Sequence, residues 1–146
     1  MSFDVFLQAF RDGDAATADA AAIEAAFAAY IEVRQGSFAR LVTGDGGADC
    51  YGLGEDSLMV NHASGQVIWD VVVEAARVGG LTIMPTGCPV CIVDPSVRSG
   101  LPTELQRDVR AIRSGADLLA VIRSSGVVAP RAPRWTTLWQ NGSGAR

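Results

Sequence analysis

Cys88, Pro89, Val90 and Cys91 set two of the chain's three cysteines in a C-x-x-C spacing, inside the stretch Gly87-Cys88-Pro89-Val90-Cys91-Ile92-Val93-Asp94. Three chemistries compete for it. A redox centre places its first cysteine at a helix N-terminus, where the dipole lowers the thiol pKa. Here the pair runs into Ile92-Val93-Asp94-Pro95, which reads as a strand broken by proline, and the aromatic-Cys-Gly-Pro-Cys arrangement is absent. A zinc site takes four ligands. Cys50 and His62, the single histidine, would complete Cys88 and Cys91 into a Cys₃His set. Those two sit on separate elements, whereas structural zinc sites are usually built from two close-spaced pairs. The third reading treats the cysteines as small buried apolar residues with Pro89 shaping a bend. The sequence favours this one. No catalytic residue, metal or cofactor is therefore expected. A thiol- or zinc-dependent protein centred on Cys88 and Cys91 is the alternative.

The other candidates are weaker. His62, in Asn61-His62-Ala63-Ser64-Gly65, has a side chain suited to general-base work, but its place before a helix also suits a cap or surface residue. No G-x-S-x-G or S-x-x-K motif offers a nucleophile. Asp45 and Asp49 flank Gly46-Gly47, which loosely resembles a calcium loop. The D-x-D-x-D-G pattern and its distal glutamate are missing, so a hairpin turn is expected.

Charge says more about partners than about chemistry. The chain has 146 residues, a net charge of −4 and twelve basic residues, all arginine. The absence of lysine and the abundance of alanine and glycine are read as the codon bias of a GC-rich, bacterial genome. An isoelectric point near 4.8 disfavours a general nucleic-acid binder. Residues 1–56 hold ten acids against three arginines; residues 57–146 hold six against nine. An acidic half can steer a basic partner, or simply keep the protein solvated. The residues picked out for partner binding are Asp12, Asp14, Asp45, Asp49, Glu55 and Asp56, together with Trp135 and Trp139 near the C-terminus. No apolar run reaches the roughly 18 residues of a membrane span, and Met1-Ser2-Phe3-Asp4 lacks the basic start of a signal peptide. A cytoplasmic protein without structural disulfides is expected.

The elements that must position these residues follow from periodicity. Ser2–Phe10 alternates as a strand with apolar residues on both faces: Phe3, Val5, Leu7 and Ala9 on one, Phe6 and Phe10 on the other. Thr17 caps a predicted helix over Ala18–Ile31. Ser37–Thr43, Ala48–Leu53 and Ser57–Asn61 form a predicted antiparallel meander. Ser64–Val78, apolar nearly all round and stopped by Gly79-Gly80, is a buried helix. Leu81–Met84 and the Val90–Val93 end of the cysteine motif are extended. Pro102–Asp108 is a short helix, Val109–Arg113 an edge strand, and Ser114 starts a last helix to about Ser124. The fold class is α+β: a mixed, mostly antiparallel sheet of five to six strands with helices packed chiefly on one face. Residues 1–126 form the domain. Residues 127–146 are a tail with Trp135 and Trp139, two side chains suited to docking on the body, a partner or a second copy.

The segments Ser2-Phe3-Asp4-Val5-Phe6-Leu7-Gln8-Ala9-Phe10-Arg11-Asp12-Gly13-Asp14-Ala15-Ala16, Leu58-Met59-Val60-Asn61-His62-Ala63-Ser64-Gly65 and Arg113-Ser114-Gly115-Ala116-Asp117-Leu118-Leu119-Ala120-Val121-Ile122 resemble small acidic bacterial immunity proteins of polymorphic toxin systems. The resemblance spans residues 1–124 and carries no active-site residue. It implies a non-catalytic protein-binding module that occludes a cognate toxin, a basic protein being the natural partner. A homodimer joined through Trp135 and Trp139 is the second alternative.

Overall fold

The computed structural model describes residues 3–125. The tail with Trp135 and Trp139, and with it the contact of the alternative homodimer, lies outside the described residues.

The first strand, β1 (Val5–Arg11), turns through Asp12-Gly13 into the short β2 (Asp14–Ala16). Helix α1 (Ala20–Phe27) starts at Asp19 rather than Thr17: the Asp19 carboxylate accepts the Ala22 N–H at 3.1 Å. The helix expected to reach Ile31 stops at Phe27. After one 3₁₀ turn the chain becomes β3 (Ile31–Gln35), whose Ile31 and Val33 suit a pleated strand. The meander follows as β4 (Phe38–Thr43), β5 (Gly46–Tyr51) and β6 (Ser57–Ser64), then α2 (Val67–Gly79). Gly80 ends α2 in the left-handed conformation, with its N–H donating to the Ala76 carbonyl. Strands β7 (Thr82–Pro85) and β8 (Val90–Ile92) precede two 3₁₀ segments, Pro95–Gly100 and Thr103–Arg107. Edge strand β9 (Val109–Ala111) and helix α3 (Gly115–Ser124) complete the described chain, and Ser114 caps α3 through the Asp117 N–H.

Among the described residues the sheet has nine strands, not five to six. Its order is β3-β4-β5-β6-β1-β7-β8-β9, with β2 paired only to β1. All pairs are antiparallel except β8 with β9. The undercount has a local cause. β2 has only three residues, too few to show a period, and β3 follows directly on an alanine-rich stretch with high helix propensity, whereas β8 and β9 lie where extended segments were expected.

Alternation sorts the sheet into two faces. Val5, Leu7, Leu41, Cys50, Val60 and Ile83 share one buried core with Ile23 and Phe27 of α1, Trp69 and Val72 of α2, and Leu118 and Ile122 of α3. The helices pack side by side, α2 between α1 and α3. The α2–α3 approach depends on Gly115: a Cβ there would sit 2.5 Å from the Asp70 backbone nitrogen. The Asp70 carboxylate accepts the Gly115 N–H at 2.7 Å, which ties the two helices together. The opposite face is covered only in part. A smaller core of Val90, Ile92 and Leu101, with Phe10, Met84, Val97 and Leu105 against it, lies under the 3₁₀ segments. Beyond it, no helix among the described residues covers the face over β3–β6 and the start of β1.

Candidate binding face

The uncovered face is ordered in rows, because residues opposite one another in an antiparallel sheet point the same way. Phe6 pairs with Met59 on one side and Met84 on the other. Met59 pairs with Tyr51, whose ring packs on Phe38 with centroids 5.2 Å apart. The result is a band of Phe38, Tyr51, Met59, Phe6 and Met84 across five strands. Phe6 keeps 45% of its surface in solvent and Tyr51 39%. Val33 and Val42 of β3 and β4 are similarly exposed. Aromatics and methionines grouped on one face favour contact with another surface: the rings give rigid area and methionine adapts its shape.

A polar row runs beside this band. Arg40 Nη1 donates to Asp49 Oδ1 at 2.9 Å, Asp49 pairs with Asn61 across the strands, and Asn61 Nδ2 donates to Asp4 Oδ1 at 3.3 Å. His62 joins the row through a bulge. The β5–β6 register shifts between Gly47 and Asp49, and His62 takes a left-handed φ of 52°. A bulge re-aims the side chain it carries. Here it brings His62 Nδ1 to 2.9 Å from Asp49 Oδ2. The His62 side chain is otherwise largely exposed. Burial pushes the Asp49 carboxyl up, but the hydrogen bonds and charges of Arg40 and His62 outweigh it and hold the group below the ordinary aspartate value. Chemically the row is a fixed charge pair with an oriented imidazole. Arg40, Asn61 and Asp4 were not singled out from the sequence. Nor were the apolar residues of the band, although Phe6 and Phe10 on the second face of β1 were the visible sign of it.

The six acids read from the sequence divide. Asp12 and Asp14 flank the β1–β2 turn, and Glu55 and Asp56 occupy the β5–β6 loop; all four are exposed. Gln8 Nε2 reaches toward the Ala16 carbonyl at 3.4 Å and the Asp56 carbonyl at 3.5 Å, which places turn and loop at one end of the sheet. They form an acidic pole. Asp49 belongs to the polar row instead. Asp45 works within the fold: it accepts the Gln66 N–H at 2.7 Å, the Thr43 hydroxyl at 2.9 Å and the Val67 N–H at 3.4 Å, serving the N-terminus of α2. The Gln66 N–H and the Thr43 hydroxyl hold its carboxyl below the ordinary value near 3.8. A folded pKa below the unfolded one gives stability above the unfolded value that is lost as pH falls through the folded value. Asp45→Asn is therefore expected to melt at a lower temperature at neutral pH. The gap to the parent should close as the solution is acidified through the aspartate range. A gap that stays constant with pH would assign the loss to shape and not to charge.

The four residues of the possible zinc set come from three strands and a turn. Cys50 lies on the helix-facing side of β5, His62 on β6, Cys91 on β8 and Cys88 in the turn before it. Among the described residues no group of three or more His, Cys, Asp or Glu side chains is arranged to hold a metal ion. Cys50, Cys88 and Cys91 are free thiols. Burial pushes Cys50 to about 12, and burial together with neighbouring Cys88 pushes Cys91 to about 12. At pH 7 such a thiol is thiolate in only about one molecule in 10⁵. Cys88 is half-buried, with Sγ 3.2 Å from the Ser125 hydroxyl oxygen. Titrating the native chain with an aromatic disulfide reagent should thus release one equivalent promptly, from Cys88, and the other two only on unfolding. Prompt reaction of all three would overturn the assignment of Cys50 and Cys91 to the core.

No family model, curated protein or solved structure matches the chain. Among the described residues no helix is long and apolar enough to cross a membrane.

Proposed function

We propose that the chain is a non-catalytic, cytoplasmic protein-binding module that holds a basic protein partner against the open face of its sheet, as an immunity protein holds its toxin. One observation carries this reading: among the described residues no helix covers the band of Phe38, Tyr51, Met59 and Phe6, which runs beside a charged row containing Arg40 and Asp49. Aromatic, methionine and arginine side chains are the types enriched in protein interfaces, where a few of them supply most of the affinity. The acidic pole of Asp12, Asp14, Glu55 and Asp56 supports the choice of a basic partner by steering it toward the same body.

The test compares the tagged chain with a variant carrying Phe6→Asp and Tyr51→Asp, both purified natively from the source organism. A basic protein present in near-equal amount with the parent and missing from the variant is expected. Co-production of the parent, and not of the variant, should relieve any toxicity of that protein in cells. Identical sets of co-purifying proteins from both would remove the open face from the reading.

A further inference from the structure

We infer that, in the free protein, the open face is occupied by the chain's own C-terminal segment, residues 126–146, bound in cis. The inference rests on reading that face as a docking surface and adds an occupant to it. Three observations point to the segment. The first is where the described chain ends. The Ser125 hydroxyl oxygen lies 3.2 Å from Cys88 Sγ in the β7–β8 turn. In that same turn Thr86 donates its N–H and its hydroxyl to the Asp4 carbonyl. Asp4 is the terminal member of the polar row, so the segment departs at the edge of the open face.

The second is reach. Trp135 is the tenth residue after Ser125, and ten extended residues span about 33 Å. Passing from the helix layer round the sheet takes about 10 Å, and crossing four strand spacings from β7 to β4 takes about 19 Å. Trp135 and Trp139 can therefore both stand over the band from Met84 to Phe38.

The third is chemistry. Residues 3–125 carry nine arginines against sixteen acids, a net of −7, whereas residues 126–146 carry Arg131, Arg134 and Arg146 and no acid. The same segment holds Val127, Val128, Trp135, Leu138 and Trp139. It is a basic, tryptophan-bearing peptide joined to an acidic body with a bare apolar band. It matches the chemistry expected of the basic partner, and so acts as an internal competitor for the site. Tethering makes that competition strong even when the contact itself is weak, because the local concentration of a short linked segment is of millimolar order.

The test uses the full chain with Trp69→Phe, which leaves Trp135 and Trp139 as the only tryptophans. Acrylamide quenching of their emission is measured alone and after adding Phe6→Asp with Tyr51→Asp. The expected result is a monomer by light scattering whose two tryptophans are protected, with a several-fold higher quenching constant once the face is charged. Quenching in the parent equal to that in denaturant would overturn the inference. So would protection that ignores the face substitutions. Protection that rises with protein concentration alongside a dimer would also overturn it, by assigning the segment to a second copy. Should Trp69→Phe fail to fold, the difference in quenching between the natural chain and Trp135→Phe with Trp139→Phe reads the same quantity. No partner enters this experiment, so protected tryptophans would stand even if no protein partner is found, and bare ones would leave the partner reading untouched.

Discussion

Trp69→Ala is expected to remove about 3–5 kcal/mol of stability, the range for emptying a large aromatic site in a core. Trp69 is 1% exposed and is the largest side chain in the main core. A domain of this size has roughly 5–15 kcal/mol in total, so the variant should melt far below the parent and be partly unfolded in mild urea. The informative partner is Trp69→Phe. The indole Nε1 is buried and, among the described residues, has no hydrogen-bond partner. Leaving a donor unmade in a core costs about 1–3 kcal/mol, so phenylalanine loses ring volume but also relieves that cost. Its net effect is expected to stay below about 1.5 kcal/mol, as for a swap that largely conserves volume. Urea titrations of the three proteins, read by circular dichroism, decide the matter. Equal losses from alanine and phenylalanine would show that the indole N–H contributes a bond of its own.

How far the sequence determined the outcome varies with element length. Strands with long alternation were legible: Val5, Leu7 and Ala9 of β1 are buried as their period requires, and α2 was recognisable despite its valines because Gly79-Gly80 marks its end. β3 was not, since Ala28-Ala29-Tyr30 carries a helical signal into residues that pair with β4. The site was less legible than the fold for a physical reason. The band forms only when Phe38, Tyr51, Met59, Phe6 and Met84 fall into register across five strands, and register is a property of pairing, not of any one segment. Acidic residues stand out in a sequence because charge needs no partner to be seen. Yet Asp45 and Asp49 are engaged by Thr43 and Gln66, and by Arg40 and His62, which no spacing rule announces. His62 is the sharpest case. Its local sequence gives no sign of the bulge and left-handed φ that bring it to Asp49.

The band and the acidic pole should fail in different ways when altered, and this separation is the second large effect expected. Phe6→Asp with Tyr51→Asp places charge where the partner must desolvate the sheet. Central apolar anchors commonly cost 2 kcal/mol or more each when lost, so affinity should fall by about 100-fold or more, mainly through faster dissociation. Neither position supports the fold heavily, as Phe6 and Tyr51 are 45% and 39% exposed, and the melting temperature of the variant checks this directly. Reversing the pole with Asp12→Arg, Asp14→Arg, Glu55→Arg and Asp56→Arg acts at long range instead. Association should slow by about tenfold at low salt and converge on the parent rate as salt screens the field, with dissociation little changed. Surface-plasmon kinetics at two ionic strengths separate the two patterns. If the pole variant instead shortened the lifetime of the complex while the face variant left it intact, the contact would lie on the loops. The open band would then have to be read as the site of the C-terminal segment alone.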